Sequence, residues 1–212
     1  MASAKEMFYE KRGQLLVKNL KSRHFDACYC PNSASALQKA LEWIEDGSSV
    51  GWGGTLTAQQ IGLLDAVRQG NYRFVDRNAC KNAAEKKQAE YDCLTCDTFI
   101  TSANALSMDG QMVNIDGIGN RLAAIAFGPK SVLVVAGMNK VEDTLDAAIN
   151  RARTIAAPQN QQRFDHKSPC KITGQCSNCK SQESICNQFL VTRLCKPAGR
   201  IRIILIGEDL GL

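Results

Sequence analysis

The sequence predicts an α/β fold: a mostly parallel sheet flanked by helices, with a small antiparallel insertion and a cysteine-bearing loop near the C-terminus. Three observations carry this expectation. Strand-like and helix-like segments alternate along most of the 212 residues, the pattern of βα units. The runs "SVLVVAGM" (131–138) and "IILIG" (203–207) are apolar without alternation, as expected of strands covered on both faces. Polar, glycine-bearing turns follow several strands, and in open α/β sheets ligands bind at that edge.

From Lys5 to Gly47 apolar residues recur at helical spacing, broken at Pro31 and Asn32. The N-terminal part, residues 1–47, therefore reads as two helices around a short strand near "FDACYC". "SSVGW" reads as a strand, and Thr55 to Gln69 as a helix ended by Gly70. "YRFVD" is a further strand and "NAAEKKQAEYD" a solvated helix. From Cys96 onward, "DTFITSANALS" and "QMVNID" alternate apolar and polar residues around Asp109 and Gly110, which predicts an antiparallel hairpin excursion. "GNRLAAIAFG" is helical, "KSVLVVAGM" a buried strand, and Val141 to Ala156 a helix halted by Pro158. Residues 158–195 form a polar, cysteine-bearing loop within the domain, and "RIRIILIGEDLGL" closes the sheet. The length suits one domain spanning 1–212.

Apolar residues at 44% and charged residues at 22% match a folded globular chain. The net charge of +5 comes from 26 Lys and Arg scattered among acids, with aromatics at only 6%, which argues against a nucleic-acid surface. No apolar run is long enough to cross a bilayer, and "MASAKEMFYEKRGQ" lacks a signal-peptide core. The expectation is a cytoplasmic protein without a membrane span.

Ten cysteines are the compositional outlier. Without a secretion signal they point to metal ligation or redox chemistry more than to disulfides. Cys170, Cys176, Cys179 and Cys186 form a C-x5-C-x2-C-x6-C array, and four thiolates so spaced can close a metal site that constrains an otherwise coreless loop. Free, redox-labile thiols are the plainer reading. The wider spacings favour an iron-sulfur cluster, such as 4Fe-4S, over zinc, though both stay open. Cys93 and Cys96 are read as buried structural residues or as a second ligand pair, and Cys28, Cys30, Cys80 and Cys195 as packing residues. His24 and His166 lack any partner motif.

Three loops are candidates for an anionic ligand. In "VGWGGTLT", Gly51, Gly53 and Gly54 let backbone approach a ligand, while Thr55 and Thr57 add hydroxyls; a tight steric turn is the competing reading. In "NIDGIGNR", Asp116 is a candidate general base beside Gly117, Gly119, Asn120 and Arg121, with helix capping as Asp116's plainer role. In "AGMNK", Asn139 and Lys140 follow a buried strand.

Together "GWGGTLT", "SANALSMDGQMVNIDGIGNR", "FGPKSVLVVAGMNKV" and "RARTIAAPQNQQR" resemble the LUD domain family, the lactate-utilisation proteins of bacteria, in its subgroup with a cysteine-rich tail. The likeness runs from Lys5 to Leu212, is most specific from Ser102 to Lys140, and adds Asn104 to the ligand-binding candidates. It implies a fold similar to the ribose-phosphate isomerase and coenzyme A transferase superfamily, with "GWGGTLT" in the place of a phosphate-holding loop. Asp116 and Gly117 stand as a loose counterpart of the acidic residues used in sugar isomerisation. No catalytic glutamate of the transferase kind is present.

The resemblance implies an accessory or electron-transferring role in L-lactate oxidation to pyruvate, with iron-sulfur partner proteins and an anionic small molecule bound at the glycine loops. Two alternatives stand beside it. One is an enzyme acting on a phosphorylated or acyl substrate with structural zinc, and the other a non-catalytic, redox-sensing metal protein.

Overall fold

The computed structural model describes residues 2–76 and 79–212. Its main sheet contains β1 (Asp26–Cys30), β2 (Ser49–Trp52), β3 (Arg73–Val75), β4 (Thr98–Thr101), β7 (Ser131–Gly137) and β10 (Ile201–Ile206). The spatial order is β1-β10-β7-β4-β2-β3, and every pairing is parallel. The two unbroken apolar runs, β7 and β10, lie side by side in the interior. Val132, Val134, Ile203 and Leu205 pack on one face with Leu16 and Leu20 of α1 (Ala4–Ser22) and Ile125 of α6 (Asn120–Ala126). Leu133, Val135, Ile204 and Ile206 pack on the other with Ala36 and Ala40 of α2 (Ser33–Glu42) and Leu63 and Val67 of α4 (Leu63–Gln69). Strands apolar on both faces thus become the middle layer of three.

A smaller sheet of order β8-β5-β6-β9 joins β5 (Ala105–Ser107), β6 (Met112–Asp116), β8 (Val141–Glu142) and β9 (Gln188–Thr192). β6 runs antiparallel to both β5 and β9. Ala105, Val113 and Ile115 of this sheet pack on Ala148 and Ala152. The β5–β6 turn depends on Gly110, whose φ is +90° and where a Cβ would sit 2.8 Å from the carbonyl carbon of Asn19.

Four expectations require correction. The segment "DTFI" belongs to the main parallel sheet as β4, so the antiparallel excursion begins only at Ala105. The helix expected over Thr55–Gln69 is two short helices, α3 (Leu56–Gln60) and α4, separated at Ile61 and Gly62, where φ of +77° ends one and starts the next. Val141 and Glu142 are strand, and Pro158 does not halt the following helix. α7 (Leu145–Arg151) passes through a π turn, Ala152–Ala156, into α8 (Ala157–Gln161), and Pro158 follows that π turn directly, where the helical hydrogen-bond pattern is already shifted. Finally, residues 158–195 are not all loop: they hold α8, α9 (Pro169–Thr173) and β9. β9 eluded the sequence because its ladder partner, β6, lies more than seventy residues away.

Candidate functional site

Parallel strands bring their carboxyl ends to one edge, and there the turns after β2, β4 and β7 meet the end of β6. Between them lies a cavity of about 500 Å³, within the usual range for a small-molecule site. Its charged lining comprises Lys86, Arg121, Lys140 and Arg163 against Glu90 and Asp116. The excess of cations over acids favours an anionic occupant. Lys86 and Glu90 come from α5 (Ala83–Asp92), and Arg163 from just beyond α8.

Lys140 is the most buried of these cations, only 3% exposed. Its Nζ donates to Thr57 Oγ1 at 3.1 Å and to Ser102 Oγ at 3.0 Å. Neither partner carries charge to offset burial, and Arg151 and Arg121 add repulsion, so burial first and these guanidiniums second pull its pKa down to about 7. Ser102 lines the cavity beside it.

Arg121 is held by Asn104 Oδ1 at 3.1 Å, by Ile115 O, and by Asp116, whose Oδ2 lies 3.6 Å from Nε. Asn104 Oδ1 also accepts from Ile115 N at 2.9 Å. Asp116 accepts from Gly117 N at 2.8 Å and Arg121 N at 3.2 Å. Its carboxylate thus caps the start of α6 while it orients Arg121.

Of the sequence-predicted residues, Gly53, Gly54, Thr55, Asn104, Asp116, Gly117, Asn120, Arg121 and Lys140 line the cavity. Gly53 leaves room for the Arg121 side chain, since a Cβ there would meet Arg121 Cδ at 2.9 Å. Thr57 stands behind the wall and holds Lys140. Gly51 lies within β2, where a Cβ would meet Cys93 Sγ at 2.8 Å, and Gly119 is the N-cap of α6, facing Gln188. Asn139 turns toward the backbone, its Oδ1 accepting from Leu210 N at 3.1 Å. Sequence reasoning missed Ser102, Lys86, Glu90 and Arg163. Only Ser102 carried a local signal, its place at the end of a buried strand two residues before Asn104.

The four loop cysteines, Cys170, Cys176, Cys179 and Cys186, are half-buried, free, and line one small cavity with Arg153, Pro158 and Phe189. Burial chiefly raises the Cys186 thiol pKa, and the three other thiols add to the rise. Among the described residues no three His, Cys, Asp or Glu side chains stand close enough to hold one metal ion. Cys93 and Cys96 lie elsewhere, 4% and 3% exposed in the core. Burial pushes the Cys96 thiol pKa up to about 12, as suits a packing residue.

A family model described as the LUD domain matches residues 13–206. The chain belongs to the LUD domain family. Among solved structures, this LUD domain is similar to a DUF162 family protein from Deinococcus radiodurans, with a TM-score of 0.55 at 8% identity, covering 93% of this chain and 98% of that one. That likeness concerns the fold. A ribose 5 phosphate isomerase A from Neisseria gonorrhoeae matches with a TM-score of 0.34 at 15% identity, over 53% of this chain and 54% of that one. No curated protein sequence matches the chain. Among the described residues no helix is long and apolar enough to cross a membrane.

Proposed function

We propose that this LUD domain is an accessory or electron-transferring component of L-lactate oxidation to pyruvate. It binds a small carboxylate in the cationic cavity and carries an iron-sulfur cluster on Cys170, Cys176, Cys179 and Cys186, working with iron-sulfur partner proteins. The observation that carries this reading is the closeness of the two cavities. Along one stretch of backbone Ser184 and Cys186 line the cysteine cavity, while Ile185 between them lines the cationic one. The four thiols surround one opening, and their C-x5-C-x2-C-x6-C spacing suits ligands spread around a cluster. Such a cluster, when bound, exchanges single electrons.

The protein's own residues have separable parts in this reading. Arg121 supplies a guanidinium for the carboxylate, Asp116 holds that guanidinium in place, and Ile185 excludes water between ligand and cysteines.

Anaerobic purification is expected to give a brown protein containing iron and acid-labile sulfide, both lost in the Cys176→Ser/Cys179→Ser double variant. A colourless protein with stoichiometric zinc would overturn the cluster, and full metal retention in the double variant would move the ligands elsewhere. For the cavity, lactate and pyruvate are expected to raise the melting temperature, with smaller shifts in Arg121→Ala and Lys140→Ala. Equal shifts in both variants would remove the ligand from this cavity.

A further inference from the structure

The reading above uses Lys140 only as a cation, yet its setting is unlike that of an ordinary anion-binding lysine. A lysine that serves as a fixed positive charge sits beside a carboxylate or in water, where the ammonium is stable. Lys140 has neither. Its hydrogen-bond partners are two neutral hydroxyls, Thr57 Oγ1 and Ser102 Oγ, which lie 3.4 Å from each other. The charged groups around it are Arg121, itself engaged with Asp116, and Arg151, itself facing Glu142 3.8 Å away. Both cations repel a proton on Nζ, and the two acids pair with these guanidiniums.

From this arrangement we infer that Lys140 is a nucleophile, its Nζ capturing a small 2-oxo acid as an imine on the cavity wall. The inference rests on the reading of the cavity as an anion site. A neutral amine carries a lone pair, and the electrophile that such an amine takes reversibly is a carbonyl carbon. With Lys140 neutral, Lys86, Arg121 and Arg163 still outnumber Glu90 and Asp116 in the lining, which favours an anionic carbonyl compound. Arg121 lines the same cavity close enough for its charge to act on Lys140, which suits a carboxylate directly attached to the carbonyl carbon.

The chemistry balances without an added oxidant or reductant. The Nζ lone pair forms the C–N bond as the carbonyl π electrons move to oxygen, and a proton passes from nitrogen to that oxygen to give a carbinolamine. Departure of that oxygen as water, with a second proton taken from nitrogen, leaves the C=N bond. Ser102 is the positioning residue: its hydroxyl touches both Nζ and the cavity and can relay the proton to the departing oxygen. Thr57, behind the wall, fixes Nζ from the other side. The lowered pKa of Lys140, down to about 7, supplies a usable neutral fraction near neutrality.

Treating the full chain with pyruvate and sodium cyanoborohydride is expected to give one reduced adduct by intact mass. Peptide mapping is expected to place it on Lys140, and it should be lost in Lys140→Met, which keeps length and apolar bulk. L-Lactate, which has no carbonyl at C2, should stabilise the protein thermally without forming an adduct. No adduct, or one spread over surface lysines and retained in Lys140→Met, would overturn the inference. Dihydroxyacetone phosphate trapped in preference to pyruvate would overturn the 2-oxo acid class. Thermal stabilisation by pyruvate without trapping would sink the imine and leave the anion site standing, whereas neither stabilisation nor trapping would sink both.

Discussion

Arg151→Ala is expected to destabilise the protein by about 3 kcal/mol, because a buried cation that satisfies several carbonyls is removed and its partners are left behind. Arg151 ends α7 and is 5% exposed. Its Nε donates to Asn139 O at 3.1 Å, and its Nη1 donates to Asn104 O at 2.7 Å and Leu212 O at 3.3 Å. These backbone oxygens belong to the segment after β4, the turn after β7 and the stretch after β10, so one guanidinium ties the ligand-facing edge of the main sheet to the helix beneath the small sheet. Urea titration should show a lower midpoint with an unchanged slope, and the melting temperature should fall by about 10 °C. Arg151→Lys should recover only part of the loss, since an ammonium cannot reproduce a fork that reaches three backbone oxygens. A midpoint equal to the parent's would mean that these contacts contribute nothing net.

Lys140→Met is expected to do the opposite and stabilise the fold at neutral pH. The sign follows from the depressed pKa: the lysine titrates near 10.5 when unfolded and near 7 when folded. Below pH 7 it is protonated in both states, and the folded state bears the full cost of the buried charge, about 5 kcal/mol at about 1.4 kcal/mol per pKa unit. Between pH 7 and 10.5 folding releases a proton, so parent stability rises with pH; above 10.5 the dependence ends. Methionine removes that cost and forfeits two hydrogen bonds worth about 1 kcal/mol each. The net gain is about 2–3 kcal/mol at pH 6–7, vanishes near about pH 9, and turns into a loss of about 1 kcal/mol at pH 10 and about 2 kcal/mol above pH 10.5. Urea titrations at pH 6, 8 and 10 check this, and a pH-independent difference would contradict the buried, uncompensated amine. A site residue whose removal stabilises the fold is the usual mark of stability given up for function.

The two predictions differ in how much of their basis was legible in the sequence. Lys140 could be singled out beforehand, because it follows an unbroken apolar strand and such strands in βα folds deliver their next residues to the ligand edge. Its lowered pKa could not, since that comes from burial and from Arg151 and Arg121, and its hydroxyl partners Thr57 and Ser102 lie 83 and 38 residues away. Arg151 gave no signal at all: it is one arginine in "NRART", and only the docking of α7 against the loop ends makes it a buried clasp. Gly51 shows the converse. It shares a motif with Gly53 and Gly54, but strand alternation turns it from the ligand edge toward Cys93. Asp116 was legible as a functional-looking acid, and its contacts show a carboxylate occupied in capping α6 and holding Arg121.

By itself the sequence determined the layer order and the ligand edge. Periodicity and apolar runs are local properties, and a strand apolar on both faces has no stable place except inside an α/β sandwich. It also placed four thiols within one short segment, because their spacing is covalent. Only the tertiary structure decided which polar side chains share the cavity, which glycines merely pack, and that β4 belongs to the main sheet and β9 to the small one. Those outcomes depend on pairings between residues tens of positions apart, and burial and electrostatic environment exist only once such pairings have formed.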